Sequence, residues 1–165
     1  MIAAVQDANV LIDLLNAGLF EASAGLGMAF HVVDVVVAEI EAEEQRRELS
    51  AAVSNGWLVV DGLDESGLER AAAFQNEAPP ISFEDAASLS LAQRLGAILL
   101  TGNRQLRILA QRHSTETHGV LWLLDSLLDA AIVDEPTAAN ALRTMMSRDA
   151  RLPADECNRR LAMWQ

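Results

Sequence analysis

The chain has 165 residues, with 24 Asp and Glu against 12 basic residues, all of them Arg, which gives a formal net charge of −12. The excess of acidic residues is distributed unevenly along the chain. Residues 1–85 hold 16 acids and 3 Arg, whereas residues 86–165 hold 8 acids and 9 Arg. This balance excludes a protein that coats nucleic acid through many cations, but clustered carboxylates are also what divalent metals require. With 51% apolar and 22% charged residues, the composition is that of a folded domain rather than a disordered acidic tail.

Cysteine content and hydropathy narrow the class of protein further. Cys157 is the only cysteine, so an intrachain disulfide and a cysteine-based zinc site are both excluded. Residues 1–7 lack the basic segment of a signal peptide, and the longest apolar stretch, 119–133, is interrupted by Asp125 and Asp129 and is too short to span a membrane. We therefore expect no membrane partner and a cytoplasmic location.

Short apolar runs alternate with helical patterns along the whole chain. The predicted strands are 2–6, 29–33, 57–60, 97–100 and 115–118. The predicted helices are 9–16, 36–53, 64–75, 82–95, 104–112, 120–131, 137–147 and 155–163. This alternation predicts an α/β fold, a three-layer sandwich with a short, mostly parallel central sheet flanked by helices. We expect a single domain over residues 1–165, with a core to about residue 130 and C-terminal helices over 131–165.

Four polar residues are predicted to gather at one edge of this sheet. Asp7 and Asn103 directly follow predicted strands, and Asp85 lies in the first turn of the helix that leads into strand 97–100. Glu39 lies in an otherwise apolar run, where a solvent-facing side chain is harder to explain. Functional side chains gather beyond the carboxyl ends of parallel strands, and converging carboxylates are stabilised by Mg²⁺ or Mn²⁺. Such a cation lowers the pKa of a bound water and stabilises attack on phosphorus.

Each of these four residues also has a purely structural interpretation. Asp85 stands three residues after Ser82, which is the spacing of a helix capping box. Asp7 and Asn103 each precede a predicted helix, where Asp and Asn are favoured caps. Glu39 on its own is typical of a helix surface. Spacing alone therefore leaves the catalytic and the structural roles both open.

Two arginines lie next to this predicted site. Residues 86–115 contain no acid and four Arg, of which Arg104 and Arg107 are three residues apart in the helix that follows Asn103. They therefore share one face of that helix. Since Arg binds phosphate in a bidentate manner, this pair is suited to hold the backbone of a single strand. A solvated helix face, or pairing with acids of the first half, explains the two arginines equally well.

Five short segments carry a resemblance to a known family. The resemblance covers most of the chain, to about residue 130. The segments are DANVLI (7–12), VVVAE (35–39), SFEDAASLSLA (82–92), AILLTGNRQLR (97–107) and GVLWLLD (119–125). Together they resemble the PIN-domain family, whose fold occurs in many metal-dependent ribonucleases, including the VapC-like toxins of bacterial and archaeal toxin–antitoxin pairs.

The resemblance implies a function and a set of site residues. Asp7 and Asp85 would bind Mg²⁺ or Mn²⁺ directly, and Glu39 would complete the acidic pocket, partly through water. PIN-domain proteins usually have a further aspartate where this chain has Asn103, which keeps the size, the capping ability and one oxygen ligand but removes a negative charge. The expected function is a divalent-metal-dependent endoribonuclease for single-stranded RNA, as in the toxins, acting as a homodimer with an antitoxin partner. The alternative is a catalytically weakened or inactive PIN-fold binding or regulatory module.

Overall fold

The central sheet and its helices are taken from a computed structural model, which describes residues 1–148 and 151–164. The strands are β1 (Ala3–Gln6), β2 (Ala29–Val33), β3 (Leu58–Asp61), β4 (Ile98–Leu100) and β5 (Thr117–His118). The helices are α1 (Ala8–Asn16), α2 (Phe20–Ser23), α3 (Asp34–Val37), α4 (Glu43–Ser54), α5 (Glu65–Glu77), α6 (Phe83–Leu95), α7 (Arg104–Arg112), α8 (Val120–Asp129), α9 (Glu135–Ser147) and α10 (Ala154–Met163). In the part of the chain described, no helix has the length and apolar character needed to cross a membrane.

All five strands run parallel, in the order β3–β2–β1–β4–β5. The chain proceeds outward from β1 through β2 to β3 and then returns to the other side of β1 for β4 and β5. The strand order therefore reverses between β1 and β4, where Val5 pairs with Leu99 and Gln6 with Leu100. The carboxyl ends of strands at such a reversal flank the crevice in which open α/β sheets bind ligands.

The helices form the outer layers of the predicted three-layer α/β fold, which is confirmed. Helix α6 packs against β1 and β2, and α5 packs on α6, while α1 contacts α8 and α9. The central strands are built mainly of buried apolar residues such as Val5 and Leu99, as expected for parallel strands that are covered on both faces. This packing fixes the ends of β1 and β4 next to each other.

The region after β2 differs from the prediction of one helix over 36–53. Helix α3 ends at Val37 and α4 begins only at Glu43, so the intervening residues form a turn and an extended segment. The Ile40 side chain is buried in the core, and its carbonyl oxygen accepts a hydrogen bond from Arg46 Nε at 2.6 Å. These contacts stabilise the irregular segment in place of a continuous helix, and Glu39 lies within it.

Two further local differences lie at element boundaries. Helix α2 and a 3₁₀ turn at Ala24–Leu26 lie between the predicted helix 9–16 and the predicted strand 29–33, where no helix was expected. The predicted strand 115–118 is reduced to its last two residues, because the Thr115 amide instead donates to the carbonyl of Ala110 at the end of α7. Neither difference moves the ends of β1 and β4.

Candidate functional site

Helix caps position three of the four candidate residues. Asp7 is the N-cap of α1, with Oδ1 accepting from a first-turn amide at 2.9 Å, and Asn103 is the N-cap of α7, with Oδ1 accepting from the Leu106 amide at 3.1 Å. Asp85 closes a capping box with Ser82 at the start of α6. The structural interpretation of these residues is confirmed. It is compatible with function, since capping fixes one face of each side chain and leaves the rest available.

Asp7 is the buried centre of the site. Its side chain is fully inaccessible to solvent, and Oδ2 has no hydrogen-bond partner among the described residues. Burial raises the pKa of Asp7 from 3.8 to about 7, against the lowering effect of the Thr101 hydroxyl and the Val10 amide, while the charges of Asp85 and Asp13 raise it further. Because an ionised carboxylate with an unpaired buried oxygen is costly, a cation at this position would stabilise it.

Asp85 and Asn103 contact each other directly. Asn103 Nδ2 and the Ser82 backbone amide each donate to Asp85 Oδ2, both at 3.3 Å. Because the Leu106 amide occupies Asn103 Oδ1, the amide group of Asn103 turns its NH₂ toward the carboxylate. The oxygen that we expected to be available as a ligand is therefore already used by the helix cap. Burial raises the pKa of Asp85, although the hydrogen bonds from Ser82 lower it.

Glu39 lies at the rim of the site rather than inside it. The residue is exposed and follows α3 by two positions, so the expectation that its apolar neighbours would shield it is wrong. Its pKa is nevertheless raised by partial desolvation and by the negative charges of Glu84 and Asp85. The structure thus brings Glu39 close enough to Asp85 for electrostatic coupling.

Two polar residues that the sequence analysis did not single out belong to the same region. Thr101 is fully buried. Its hydroxyl accepts a hydrogen bond from the backbone amide of Asn103 at 3.0 Å and lowers the pKa of Asp7. Its carbonyl oxygen accepts a hydrogen bond from Arg107 Nη2 at 2.8 Å. Asp13 lies on the helix that Asp7 caps, and burial raises its pKa to about 6. The available signals were a polar residue directly after a buried strand and a second carboxylate on an otherwise apolar helix.

Arg104 directly follows Asn103, and Arg107 lies about one helical turn further along α7. Arg104 is exposed, whereas Arg107 is partly buried and is anchored through its bond to Thr101. Gly119 leaves the space for this guanidinium group, since a Cβ at that position would lie 3.1 Å from Arg107 Nη2. Both arginines line a cleft of about 900 Å³.

The donor set fits a hard divalent cation only in part. Within residues 1–148 and 151–164, no group of three or more His, Cys, Asp or Glu side chains is arranged to hold a metal ion. Asp7 and Asp85 are nevertheless suitable oxygen donors, and Asp7 has an unpartnered buried oxygen. Mg²⁺ commonly binds through one or two carboxylates and keeps several waters, so two aspartates meet its minimum requirement.

Comparisons with known proteins agree with this fold. The sequence model of a family described as "DUF3368: PIN domain" matches residues 3–165. Similar structures include a PilT N-terminus domain protein from Sulfolobus solfataricus (TM-score 0.52, 14% identity, 77% of this chain and 94% of that one). A second is VapBC2 from Rickettsia felis bound to a promoter DNA fragment (TM-score 0.50, 13% identity, 72% of this chain and 98% of that one). A third is PAE2754 from Pyrobaculum aerophilum (TM-score 0.52, 18% identity, 80% of this chain and 98% of that one). No curated protein sequence matches the chain significantly.

Proposed function

Because the chain belongs to the PIN-domain family described as DUF3368, we propose that it is a divalent-metal-dependent endoribonuclease that cleaves single-stranded RNA. The observation that supports this most strongly is the buried Asp7 carboxylate, whose Oδ2 is unpartnered where the strand order reverses. In this proposal Asp7 and Asp85 hold Mg²⁺ or Mn²⁺. The cation supplies charge stabilisation at the phosphodiester and lowers the pKa of a bound water.

The other residues of the site orient and bind. The capping bonds hold Asp7 and Asp85 in fixed positions, and Asn103 restrains Asp85 through the bond to Oδ2. In this proposal Glu39, which is exposed and electrostatically coupled to Asp85, acts through water and accepts a proton from an attacking water molecule. Arg104 and Arg107 hold the neighbouring phosphates of the strand.

The test is cleavage of mixed single-stranded RNAs with Mn²⁺ by the natural chain and by Asp7→Asn and Asp85→Asn. Because asparagine preserves the cap of α1 and the volume of both side chains, each variant mainly removes a charge. We expect each to lower the cleavage rate by ~100-fold or more, the typical effect of removing one electrostatic partner at a reacting centre.

Asp64→Asn is the matched control, because Asp64 caps α5 in the same way, outside the site. It should leave the rate unchanged. Activity that survives both Asp7→Asn and Asp85→Asn would contradict the proposal and indicate a contaminant or a different site.

One observation favours the second candidate, a weakened or inactive PIN-fold binding or regulatory module. Asn103 presents an NH₂ group to Asp85 instead of a further carboxylate, which reduces the negative charge that attracts a metal. Under this alternative the natural chain binds RNA or a protein partner without cutting RNA. Cleavage that emerges only in Asn103→Asp would favour it over the first proposal.

The family also leads us to propose the toxin role and the partners that go with it. We expect a homodimer in the cytoplasm and a small antitoxin protein encoded next to this chain. The shared fold with VapBC2 from Rickettsia felis supports this proposal at the level of architecture. Light scattering during size-exclusion chromatography should give twice the 17.8 kDa chain mass, and a monomer mass would contradict the dimer.

A further inference from the structure

A cleft lined by several arginines lies next to Asn103 of the acidic site. The cleft of about 900 Å³, here called the arginine cleft, is lined by Arg104, Arg107, Trp122, Arg151, Glu156 and Arg160 among others. A second cavity of about 560 Å³ is lined by Asn103, Arg104 and Arg151 and also reaches Asp13 on α1. The two cavities share Arg104 and Arg151 in their walls, and the second also includes Asn103, the neighbour of Asp85.

Arg107 is a preorganised donor in the wall of the arginine cleft. Its Nη2 donates to the Thr101 carbonyl at 2.8 Å, and Gly119 provides the space beside it. Its Nε is buried and has no hydrogen-bond partner among the described residues. A guanidinium group that is already fixed loses less conformational entropy when it binds an anion.

Three of the four arginines that line the cleft have no ion-pair partner among the described residues, which is also true of Arg46, Arg70, Arg143 and Arg148 elsewhere. Arg94 and Arg112 form ion pairs with acids at 3.5 and 3.7 Å, and Glu156 of the cleft is neutralised by Arg160 at 3.0 Å. Arg104, Arg107 and Arg151 make no ion pair with any residue in 1–148 or 151–164, although the chain has two acids for each arginine. Uncompensated cations gathered in one cleft create a local positive potential that attracts anions.

Trp122 lines the arginine cleft and forms a stacked aromatic pair with His118. The rings of His118 and Trp122 are stacked, with centroids 4.1 Å apart and an interplanar angle of 16°, and both are partly exposed. His118 is held by Glu116 at 2.8 Å and by the pairing of β5 with β4. The pairs that Trp57 forms with Phe20 and Phe30 instead involve fully buried phenylalanines of the core. Aromatic faces next to arginines are the combination that binds single-stranded nucleic acid, by stacking bases and holding phosphates.

We propose that the arginine cleft is a nucleotide subsite, in which an unpaired RNA base extends the His118–Trp122 stack while Arg104, Arg107 and Arg151 hold the adjacent phosphates. The choice of RNA as ligand rests on the proposed function. The subsite itself requires no metal, since all its contacts come from side chains of the cleft. It would bind a base at a fixed distance from the acidic site and so influence where the strand is cut.

The test is the affinity of a fluorescently labelled oligouridylate of about six nucleotides, measured by anisotropy in EDTA so that metal-dependent cleavage cannot occur. We expect Trp122→Leu to weaken binding roughly tenfold, because stacking of one base on an aromatic side chain has an effect of that order. An abasic strand of the same length should bind the natural chain and Trp122→Leu equally. Arg104→Gln and Arg107→Gln should weaken both strands, and each should reduce the slope of log affinity against log salt by about 0.7.

Controls separate the subsite from nonspecific effects. Arg70→Gln removes an exposed arginine of α5, outside the cleft, and should change neither affinity nor slope. Thermal unfolding of each variant verifies that the fold is retained. A Trp122→Leu variant that is folded and binds the oligouridylate as tightly as the natural chain overturns the subsite. So does an equal loss for the abasic strand, or an acidic polypeptide that binds the cleft more tightly than RNA does.

The outcomes for the subsite and for the proposed function are distinguishable. Binding that depends on Trp122, combined with no Mn²⁺-dependent cleavage, would support the subsite and contradict the nuclease. Cleavage that requires Asp7 and Asp85, combined with binding that is indifferent to Trp122, would support the nuclease and contradict the subsite.

Discussion

The acidic site and the arginine cleft meet at residues 101–104 but hold their charges in opposite ways. Asp7 is fully buried with an unpartnered oxygen, whereas Arg104 is exposed and Arg107 is anchored at one nitrogen. An ionised carboxylate that has lost its solvent and keeps one unpartnered oxygen opposes folding, while an exposed guanidinium keeps its hydration. We therefore expect the charge of the acidic site to make the folding stability depend on pH. We expect the charges of the cleft to make ligand binding depend on ionic strength.

The largest effect expected from this comparison is on the stability of Asp7→Asn. Because the pKa of Asp7 is about 7 in the folded chain and 3.8 in a free carboxyl, the folded state retains a proton that the unfolded state releases. Stability without metal should be greatest below about pH 4 and should fall as the pH rises to about 7. Removing the ionisable group should stabilise the chain by up to roughly 4 kcal/mol at pH 8 and by less than about 2 kcal/mol at pH 5.

Urea unfolding in EDTA at pH 5 and pH 8 measures this difference. Mn²⁺ should raise the midpoint of the natural chain at pH 8 much more than that of Asp7→Asn. Asp64→Asn, on the exposed N-cap of α5, should show no comparable pH dependence. Equal stabilisation of Asp7→Asn at both pH values would show that burial does not govern this carboxylate.

An intermediate effect is expected when Asn103→Asp makes the acidic site more acidic. Aspartate preserves the cap of α7 but places a charge beside Asp85 and removes the bond from Nδ2. A carboxylate at short range should increase the affinity for Mn²⁺ by about tenfold or more, measured by calorimetry, and should raise the cleavage rate.

Asn140→Asp adds the same charge on the exposed surface of α9 and should change neither quantity. If Asn103→Asp increases neither metal affinity nor cleavage, the role assigned to this position is wrong.

The smallest effect is expected from Arg104→Gln in the arginine cleft. Since Arg104 is exposed, we expect a change in unfolding free energy within about 0.5 kcal/mol at both pH 5 and pH 8. The same variant should still reduce the salt dependence of RNA binding. A stability change as large as that of Asp7→Asn would remove the distinction between the two regions.

The elements of the fold could be predicted from the sequence because their signals are local. Strand β2 and helix α7 have the predicted bounds, as an apolar run and a cap followed by a periodic pattern would suggest. The break between α3 and α4 could not be predicted, because it depends on burial of Ile40 and on the bond from Arg46, which form only in the folded chain.

In the candidate site, the positions of the residues could be predicted from the sequence, but the contacts between distant residues could not. Asp7, Asp85 and Asn103 follow from strand ends and helix starts, and the structure brings them together. The direction of the Asn103 side-chain amide depends on its cap bond and on its contact with Asp85, which lies 18 residues earlier in the sequence. The stack of Trp122 on His118 likewise depends on how α8 follows β5, so neither feature has a sequence signal of its own.

If the chain cleaves RNA as proposed, the position of Thr101 has a consequence for where the strand is cut. Its hydroxyl lies by Asp7 and its carbonyl accepts a hydrogen bond from Arg107, so one residue contacts both the proposed catalytic carboxylate and the proposed phosphate-binding arginine. The spacing between them is therefore constrained by the backbone at Thr101, which directly follows β4. A strand whose base is bound at Trp122 would then be cleaved at a constant number of nucleotides from that base.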